Sequence, residues 1–259
     1  MKPSSSSPYT LLARFYDQLT PYAPGMNRNA RRRILGRRLE RFASACDLGC
    51  GTGETALEFA RRGLRVFAVD NSPTLCRIAR EKARRKGLAV RVLCADMRRF
   101  RLPEPVDLVT CEFAALNHLP RHRDLPRALR AVVRALRPGG CFLFDVNNCR
   151  SFAEQIPKGE WVETRDFKLV IHGGYDPRRR RARLDFEWFL PAKAGRRDGK
   201  NWRHRREQVE HICWSEGEIR GALRRAGFHR IRFWDGFEVR PPMPGMRRGT
   251  DAYYLARKR

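Results

Sequence analysis

The sequence predicts an α/β fold, a mostly parallel sheet with helices on both faces. Three observations predict it. Short apolar runs alternate with helix-periodic segments from Ser44 to Val146, at the spacing of βαβ units. The first run ends in a turn in which Gly49, Gly51 and Gly53 alternate with other residues. The first three runs also bring acids to their ends, at Asp47, Asp70 and Asp96, where ligands of open α/β sheets gather.

The elements follow in chain order. Met1 to Pro8 is Ser- and Pro-rich and reads as a mobile terminus without the apolar core of a secretory signal. Leu11, Leu12, Phe15, Tyr16 and Leu19 recur at helical spacing, so residues 9–41 read as helical. Thr20-Pro21 and Pro24-Gly25 predict breaks, and an arginine-rich helix is expected from Asn29 to Phe42. Strands are expected over Ser44–Leu48, Leu64–Val69, Ala89–Cys94, Val106–Glu112 and Cys141–Val146, the last after a turn at Arg137-Pro138-Gly139-Gly140. Helices are expected over Glu54–Arg62, Pro73–Lys86 with Gly87 as its stop, and Leu125–Leu136.

After Asn148 the texture changes. Trp161–Val170, Arg183–Leu190 and Arg203–Cys213 read as strands, with turn chemistry at Gly173–Pro177 and Ala194–Gly199. They predict a small antiparallel insertion, and Arg178–Arg181 reads as a solvated turn. Ser215 and Glu218 make a capping box for a helix that ends at Gly227. Phe228–Trp234 and Ala252–Ala256 read as the last strands. The expected division is 1–42, an N-terminal helical segment; 43–150, the ligand-binding core; 151–213, the insertion; and 214–259, the return to the core.

Composition narrows the function. The chain has 259 residues, 42% of them hydrophobic, and no run of about eighteen apolar residues that would span a membrane. Its net charge is +27, from 55 Lys+Arg against 28 Asp+Glu. Such an excess favours polyanions. Only eight of the 55 are lysine, however, and the arginines are dispersed without interleaved aromatics, which reads more as composition bias than as a nucleic-acid groove. The eight cysteines form no CxxC and no ligand-like cluster with histidine. They read as free buried thiols in a reducing cytoplasm, with no metal site.

The stretch Asp47-Leu48-Gly49-Cys50-Gly51-Thr52-Gly53 carries the ligand reading. Its G-x-G-x-G spacing differs from the G-x-G-x-x-G with which dinucleotide binders approach a pyrophosphate. It suits S-adenosylmethionine (SAM), which has no phosphate and whose amino-acid end carries both charges. Asp47 is placed for the ammonium, Asp70 for both ribose hydroxyls, and Asp96 for the adenine amine with Met97 against the ring. Taken singly, each acid also reads as a cap or turn residue.

The segments DLGCGTG (47–53), VDNS (69–72), ADM (95–97), DLVTCEFAALNHL (107–119) and LRPGG (136–140) resemble those of class I SAM-dependent methyltransferases over roughly residues 40–147. The resemblance implies a Rossmann-like sheet of seven strands, order 3-2-1-4-5-7-6, with the seventh antiparallel. It implies a cofactor site at Asp47, Gly49, Cys50, Gly51, Gly53, Asp70, Asn71, Asp96 and Met97, with the backbone from Cys111 to Phe113 near the sulfonium. Leu75 and Cys76 stand where relatives often have methionine and leucine. CEFAALNHL (111–119) resembles the loop of sugar-amine and glycine N-methyltransferase-like enzymes, which nominates His118 as base or orienter, or else a capping residue. Tyr9 and Tyr16 lie in a segment that folds over SAM as a lid in such relatives, with a core role as the plainer reading. Asn117 and Asn147 complete the candidate acceptor residues.

The expected function is methyl transfer to nitrogen or oxygen of a small molecule, by a cytoplasmic monomer or homodimer, with the insertion as substrate cap. RNA or protein methylation is the alternative that charge favours. Cys-Glu-Phe stands where an amine methyltransferase of nucleic acids usually has Asn/Asp-Pro-Pro-aromatic. An NAD-dependent oxidoreductase and a non-catalytic SAM-binding module are the remaining readings.

Overall fold

The structure is a computed structural model that describes residues 10–192, 201–240 and 248–259. The expectations placed on residues 1–8, on Tyr9 and on the turn at 194–199 lie outside the described residues. Helices α1 (Leu11–Leu19) and α2 (Ala23–Leu35) lead through a 3-10 segment (Gly36–Arg41) into the core. There β1 (Ser44–Leu48), α3 (Glu54–Arg61), β2 (Arg65–Asp70), α4 (Pro73–Arg85), β3 (Val90–Cys94), β4 (Val106–Cys111), α5 (Leu125–Ala135) and β5 (Leu136–Asn147) follow one another. Helix α6 (Cys149–Gln155) opens the insertion, which holds β6 (Lys158–Glu163), β7 (Lys168–Asp176), β8 (Arg181–Pro191) and β9 (Trp202–Ile212). The chain returns with α7 (Glu216–Ala226), β10 (Phe228–Asp235), α8 (Gly236–Val239) and β11 (Asp251–Lys258).

The large sheet runs β10-β11-β5-β4-β1-β2-β3. Its last two strands are numbered ten and eleven because four insertion strands precede them; counted without those four, the order is 3-2-1-4-5-7-6. Strands β1 to β5 are parallel, and β11 is antiparallel to both its neighbours. Side chains of one strand alternate between two cores. From β5, Phe142, Phe144 and Val146 enter the core under α5 and α7, while Cys141 and Leu143 enter the core under α2, α3 and α4. Burial on both faces explains why these strands read as unbroken apolar runs.

The insertion strands form a second, antiparallel sheet in the order β6-β7-β8-β9. Its apolar face, with Phe167, Leu169, Phe186, Trp188 and Val209, packs on Leu12 and Phe15 of α1. Glu207 of β9 caps that helix, accepting the N–H groups of Thr10 and Leu11 on Oε1 and of Leu12 on Oε2 at 2.7–2.8 Å.

Several expectations are corrected. Pro24-Gly25 does not break the chain: Pro24 lies in the first turn of α2, where its missing N–H is no loss. That helix ends at Gly36, with φ of 52°. The stretch 161–170 is two strands, because the Thr164 hydroxyl accepts the N–H groups of Asp166 and Phe167 and turns the chain between them. Gly173-Gly174 lies inside β7; a Cβ on Gly173 would stand 2.4 Å from the Arg183 carbonyl, so the glycine serves close strand approach. The turn comes later, where Asp176 accepts the N–H groups of Arg178 and Arg179. Residues 137–140 belong to β5, entering past an irregularity in its register with β4. Finally, Cys149 and Cys213 are not free thiols but a disulfide. They sit at the two ends of the insertion, which the fold brings together beside the core. No described helix is long and apolar enough to cross a membrane.

Candidate functional site

A cavity of about 780 Å³ opens at the carboxyl ends of the parallel strands, within the range of small-molecule sites. The glycine turn forms its floor. The N–H groups of Gly49 and Cys50 donate to the Val69 carbonyl at 2.7 and 3.0 Å, which binds the turn to β2. Gly49 has φ of 71°, and a Cβ there would meet that of Ala115 at 2.7 Å, so the backbone passes where no side chain fits.

Asp47, Gly49, Cys50, Gly51, Asp70, Asn71, Asp96, Met97, Phe113, Tyr16 and His118 all line this cavity. The four strand-end segments thus converge on one hollow. Asp70 accepts the Gly51 N–H at 2.9 Å on Oδ2 and the Ser72 N–H at 2.8 Å on Oδ1, and each oxygen keeps a further lone pair. Asp96 is engaged by Arg98, whose Nε lies 3.0 and 2.9 Å from its two oxygens; these hydrogen bonds hold Asp96 below the usual carboxylate range.

Four sequence candidates stand away from the cavity lining. Gly53 faces Ala79 and supplies the left-handed cap of α3, with φ of 89°. Cys111 points into the core under α5. Asn117 is fully buried: its amide donates to the carbonyls of Asn147 and Ile212 at 2.8 and 2.6 Å, and its oxygen accepts the Asn147 N–H at 3.0 Å. Asn117 and Asn147 therefore stitch the end of β9 to the end of β5 and do not line the cavity. The polar types were legible; their direction is set by packing.

The structure also adds residues. Glu112 follows β4, lines the cavity and is buried. Arg31 of α2 is 1% exposed and reaches Glu112 with Nη1 and Glu58 with Nη2. The Thr55 hydroxyl lies 3.2 Å from both Arg31 and Glu112. Beside this network the Thr110 hydroxyl donates to Asp47 Oδ1 at 3.2 Å. Burial, then the neighbouring Glu112 charge, pushes Asp47 up to about 7. Burial likewise pushes Glu112 up to about 7, against the pull of Arg31. Asp47 Oδ2, Glu112 Oε1 and the Asn27 side-chain Oδ1 are buried without a hydrogen-bond partner among the described residues, and all three residues line the cavity. Orphaned acceptors of this kind mark a place for a donor or a cation.

Phe113 and Ala114, the next residues, both have positive φ, 60° and 55°. Asp145 of β5 accepts the Ala114 N–H at 2.9 Å and so holds this left-handed pair; burial pushes it up to about 6. Strain of this sort persists only where surrounding structure fixes it. An acid inside the apolar run Phe142-Leu143-Phe144-Asp145 was a signal available in the sequence. Arg31 had none, standing among many similar arginines.

The far wall comes from the insertion and from α1. Arg181, Gln208 and Glu210 line the cavity together with His118 and Pro120, and Arg181 Nη2 donates to the Pro120 carbonyl at 2.6 Å. Burial pushes His118 down to about 4, so the ring is neutral at neutral pH, and it lies against His211 with centroids 4.3 Å apart. Asp17 of α1 accepts from the Thr52 hydroxyl at 2.6 Å and pairs with Lys82, tying α1 across the cavity mouth. No cluster of three or more metal-ligating side chains occurs among the described residues.

Comparison with known proteins agrees with this geometry. A methyltransferase domain family matches residues 45–140. A ubiquinone biosynthesis O-methyltransferase of Xanthomonas euvesicatoria pv. vesicatoria is 30% identical over 172 residues, 55% of this chain and 70% of that protein. Of three other curated relatives, from Bacillus subtilis, a Geobacillus species and Aeromonas salmonicida, the chain spans 53 to 62% of the length. Among solved structures, a SAM-dependent methyltransferase from Clostridium acetobutylicum superposes with a TM-score of 0.78 at 20% identity, covering 96% of this chain and 98% of that one. The sugar N-methyltransferase KedS8 from a Streptoalloteichus species superposes at 0.72 and 22% identity, covering 97% and 92%. Both likenesses concern the fold. The chain belongs to the class I SAM-dependent methyltransferase family.

Proposed function

We propose that the cavity binds SAM and that the protein methylates a nitrogen or oxygen atom of a small polar acceptor. The single observation that carries this reading is the convergence of Asp47, Asp70, Asp96 and the glycine turn on one hollow with orphaned buried acceptors at Asp47 and Glu112. Those acceptors fit an ammonium group, and the free lone pairs of Asp70 fit ribose hydroxyls. Met97 and the edge of Asp96 would flank the adenine. When bound, the cofactor supplies an electrophilic methyl on a good leaving group, so the chain's task is alignment.

Phe113 and Ala114, held by Asp145, would set the backbone beside the reacting methyl. The wall of His118, Arg181, Gln208 and Glu210 would hold a hydroxylated or amine-bearing acceptor. His118, neutral at neutral pH, would orient the acceptor or accept its proton. Helix α1, pinned by Asp17 and Glu207, would exclude water as a lid, and the insertion would act as a substrate cap. Enclosure by α1 and β9 supports a small acceptor over a macromolecular one. KedS8 is a sugar N-methyltransferase by name, which makes amino sugars the first acceptors to try.

The test is incubation with SAM and a panel of amino sugars and phenols, following S-adenosylhomocysteine release. Acceptor-dependent release that falls in His118→Ala with unchanged cofactor affinity is the expected result. Release from no acceptor by a protein that binds the cofactor would overturn the small-molecule reading.

A further inference from the structure

The carboxylates at the cavity rim differ in the hydrogen bonds they can still accept. Asp70 takes one N–H on each oxygen, from Gly51 and Ser72, and keeps a lone pair on each. Asp96 lines the same cavity but is filled. Its Oδ1 accepts the backbone N–H of Arg98 at 2.8 Å and the Arg98 Nε–H at 3.0 Å. Its Oδ2 accepts the same Nε–H at 2.9 Å and an Nη2–H at 2.5 Å. A carboxylate has about four lone-pair sites, and one residue occupies them all. The side-chain hydrogen bonds from Arg98 are the largest influence on this acid and hold it below the usual carboxylate range.

The local chain explains the arrangement. Asp96 and Arg98 lie in the turn after β3, where the Asp96 carbonyl accepts the N–H groups of Arg99 and Phe100. That turn folds the Arg98 N–H back onto the Asp96 side chain, as in an Asx turn. The guanidinium is held from a second side as well. Its Nη1 donates at 3.1 Å to Oδ2 of Asp124, which lies just before α5 and has a side chain 1% exposed. Arg127 takes the other oxygen of Asp124, also at 3.1 Å. Swinging Arg98 away from Asp96 would therefore also strip a buried oxygen of its partner, which keeps the guanidinium in place.

A carboxylate with open lone pairs beside a purine attracts a 6-amino group, which donates, and repels a 6-oxo group, which accepts. A carboxylate already filled by a guanidinium does neither. We propose, on the reading that places the purine beside Asp96 and Met97, that Arg98 sets the purine selectivity of the cofactor site. By occupying Asp96 it withholds the acceptor that would distinguish an adenosyl from an inosyl compound.

The test titrates S-adenosylhomocysteine and its deaminated analogue, S-inosylhomocysteine, into the full chain by calorimetry. Wild type is compared with Arg98→Met and with Asp96→Asn/Arg98→Met. The readout is the ratio of the two affinities on one protein, which a general loosening of the site leaves unchanged. In Arg98→Met the opened carboxylate should raise the preference for the adenosyl compound at least about tenfold over wild type. Adding Asp96→Asn should return the ratio to within about threefold of wild type, because an amide offers a donor and an acceptor alike. Arg98→Lys keeps a cation near Asp124 but has no planar fork to span Asp96. It decides the matter if Arg98→Met does not fold: its ratio should rise at least about threefold. Smaller rises than these, or a raised ratio that persists with Asp96→Asn, would overturn the proposal. No binding of S-adenosylhomocysteine by wild type would overturn the cofactor reading and this role with it, whereas binding with an unchanged ratio in the variants overturns the selectivity role alone.

Discussion

Replacing Arg31 by methionine is the sharpest test of the buried network beside the cavity. The substitution keeps most of the aliphatic stem and removes the guanidinium, whose carbon lies 5.3 Å from the Phe59 ring centroid. Glu58 keeps Arg28 and Arg62 as partners. Glu112, with a side chain 2% exposed, loses its ion pair. Removing one partner of a buried pair costs about 3–5 kcal/mol. The cost depends on pH. Glu112 in the folded protein is raised to about 7 from 4.5 in the free side chain. A raised acid contributes stability that is full below its unfolded value and is lost as pH rises through its folded value. Without Arg31 the folded value rises further, so the penalty is small near pH 5, where Glu112 is already protonated, and above pH 7 it grows by up to about 1.4 kcal/mol per pH unit towards that limit. Urea unfolding at both values measures it. A loss under about 1 kcal/mol at pH 8, or a larger loss at pH 5, would refute the reasoning.

Other consequences follow from the same geometry. If Asp47 and Glu112 receive an ammonium, S-adenosylhomocysteine affinity rises between about pH 6 and pH 8, because both acids titrate at about 7 and the bound cation favours their ionised form. Calorimetry in buffers of different ionisation enthalpy should record proton release on binding, and a flat profile would remove both acids from that role. Asn117→Ala breaks three buried hydrogen bonds between β9 and β5 and should cost about 2–4 kcal/mol in urea unfolding; a change under about 1 kcal/mol would contradict the stitching role. Denatured without reductant, the protein should expose six reactive thiols rather than eight, and losing the Cys149–Cys213 closure of 64 residues should cost about 4 kcal/mol on chain-entropy grounds. Eight thiols would show that the disulfide does not form.

The fold was legible because its rules are local and repeated. Apolar runs at βαβ spacing, the glycine turn and the Ser215–Glu218 capping box each carry their physics in a few residues. The insertion was legible as β structure but not in its turns, since Gly173 looks the same whether it bends a chain or admits a neighbouring strand. Residues whose position follows from backbone conformation or a strand end, such as Gly49 and Asp70, could be placed at the cavity from sequence. Residues whose role depends on which way a side chain packs could not. Cys111 ends β4 and Asn117 lies in the loop after it, but both side chains face inward, and Arg31 joins its network only because α2 lays it against Glu58 and Glu112. The disulfide is of the same kind, for nothing in the spacing of Cys149 and Cys213 tells that the insertion begins and ends at one place.

The central claim is that the strand-end acids and the glycine turn form one adenosyl site. Calorimetric titration of wild type and Asp70→Ala with S-adenosylhomocysteine tests it most directly. Wild type should bind one equivalent, and a folded Asp70→Ala protein, lacking a charged acceptor for two hydroxyls, should bind about a hundredfold more weakly. Unchanged affinity in the folded variant, or no binding by wild type, would contradict the account.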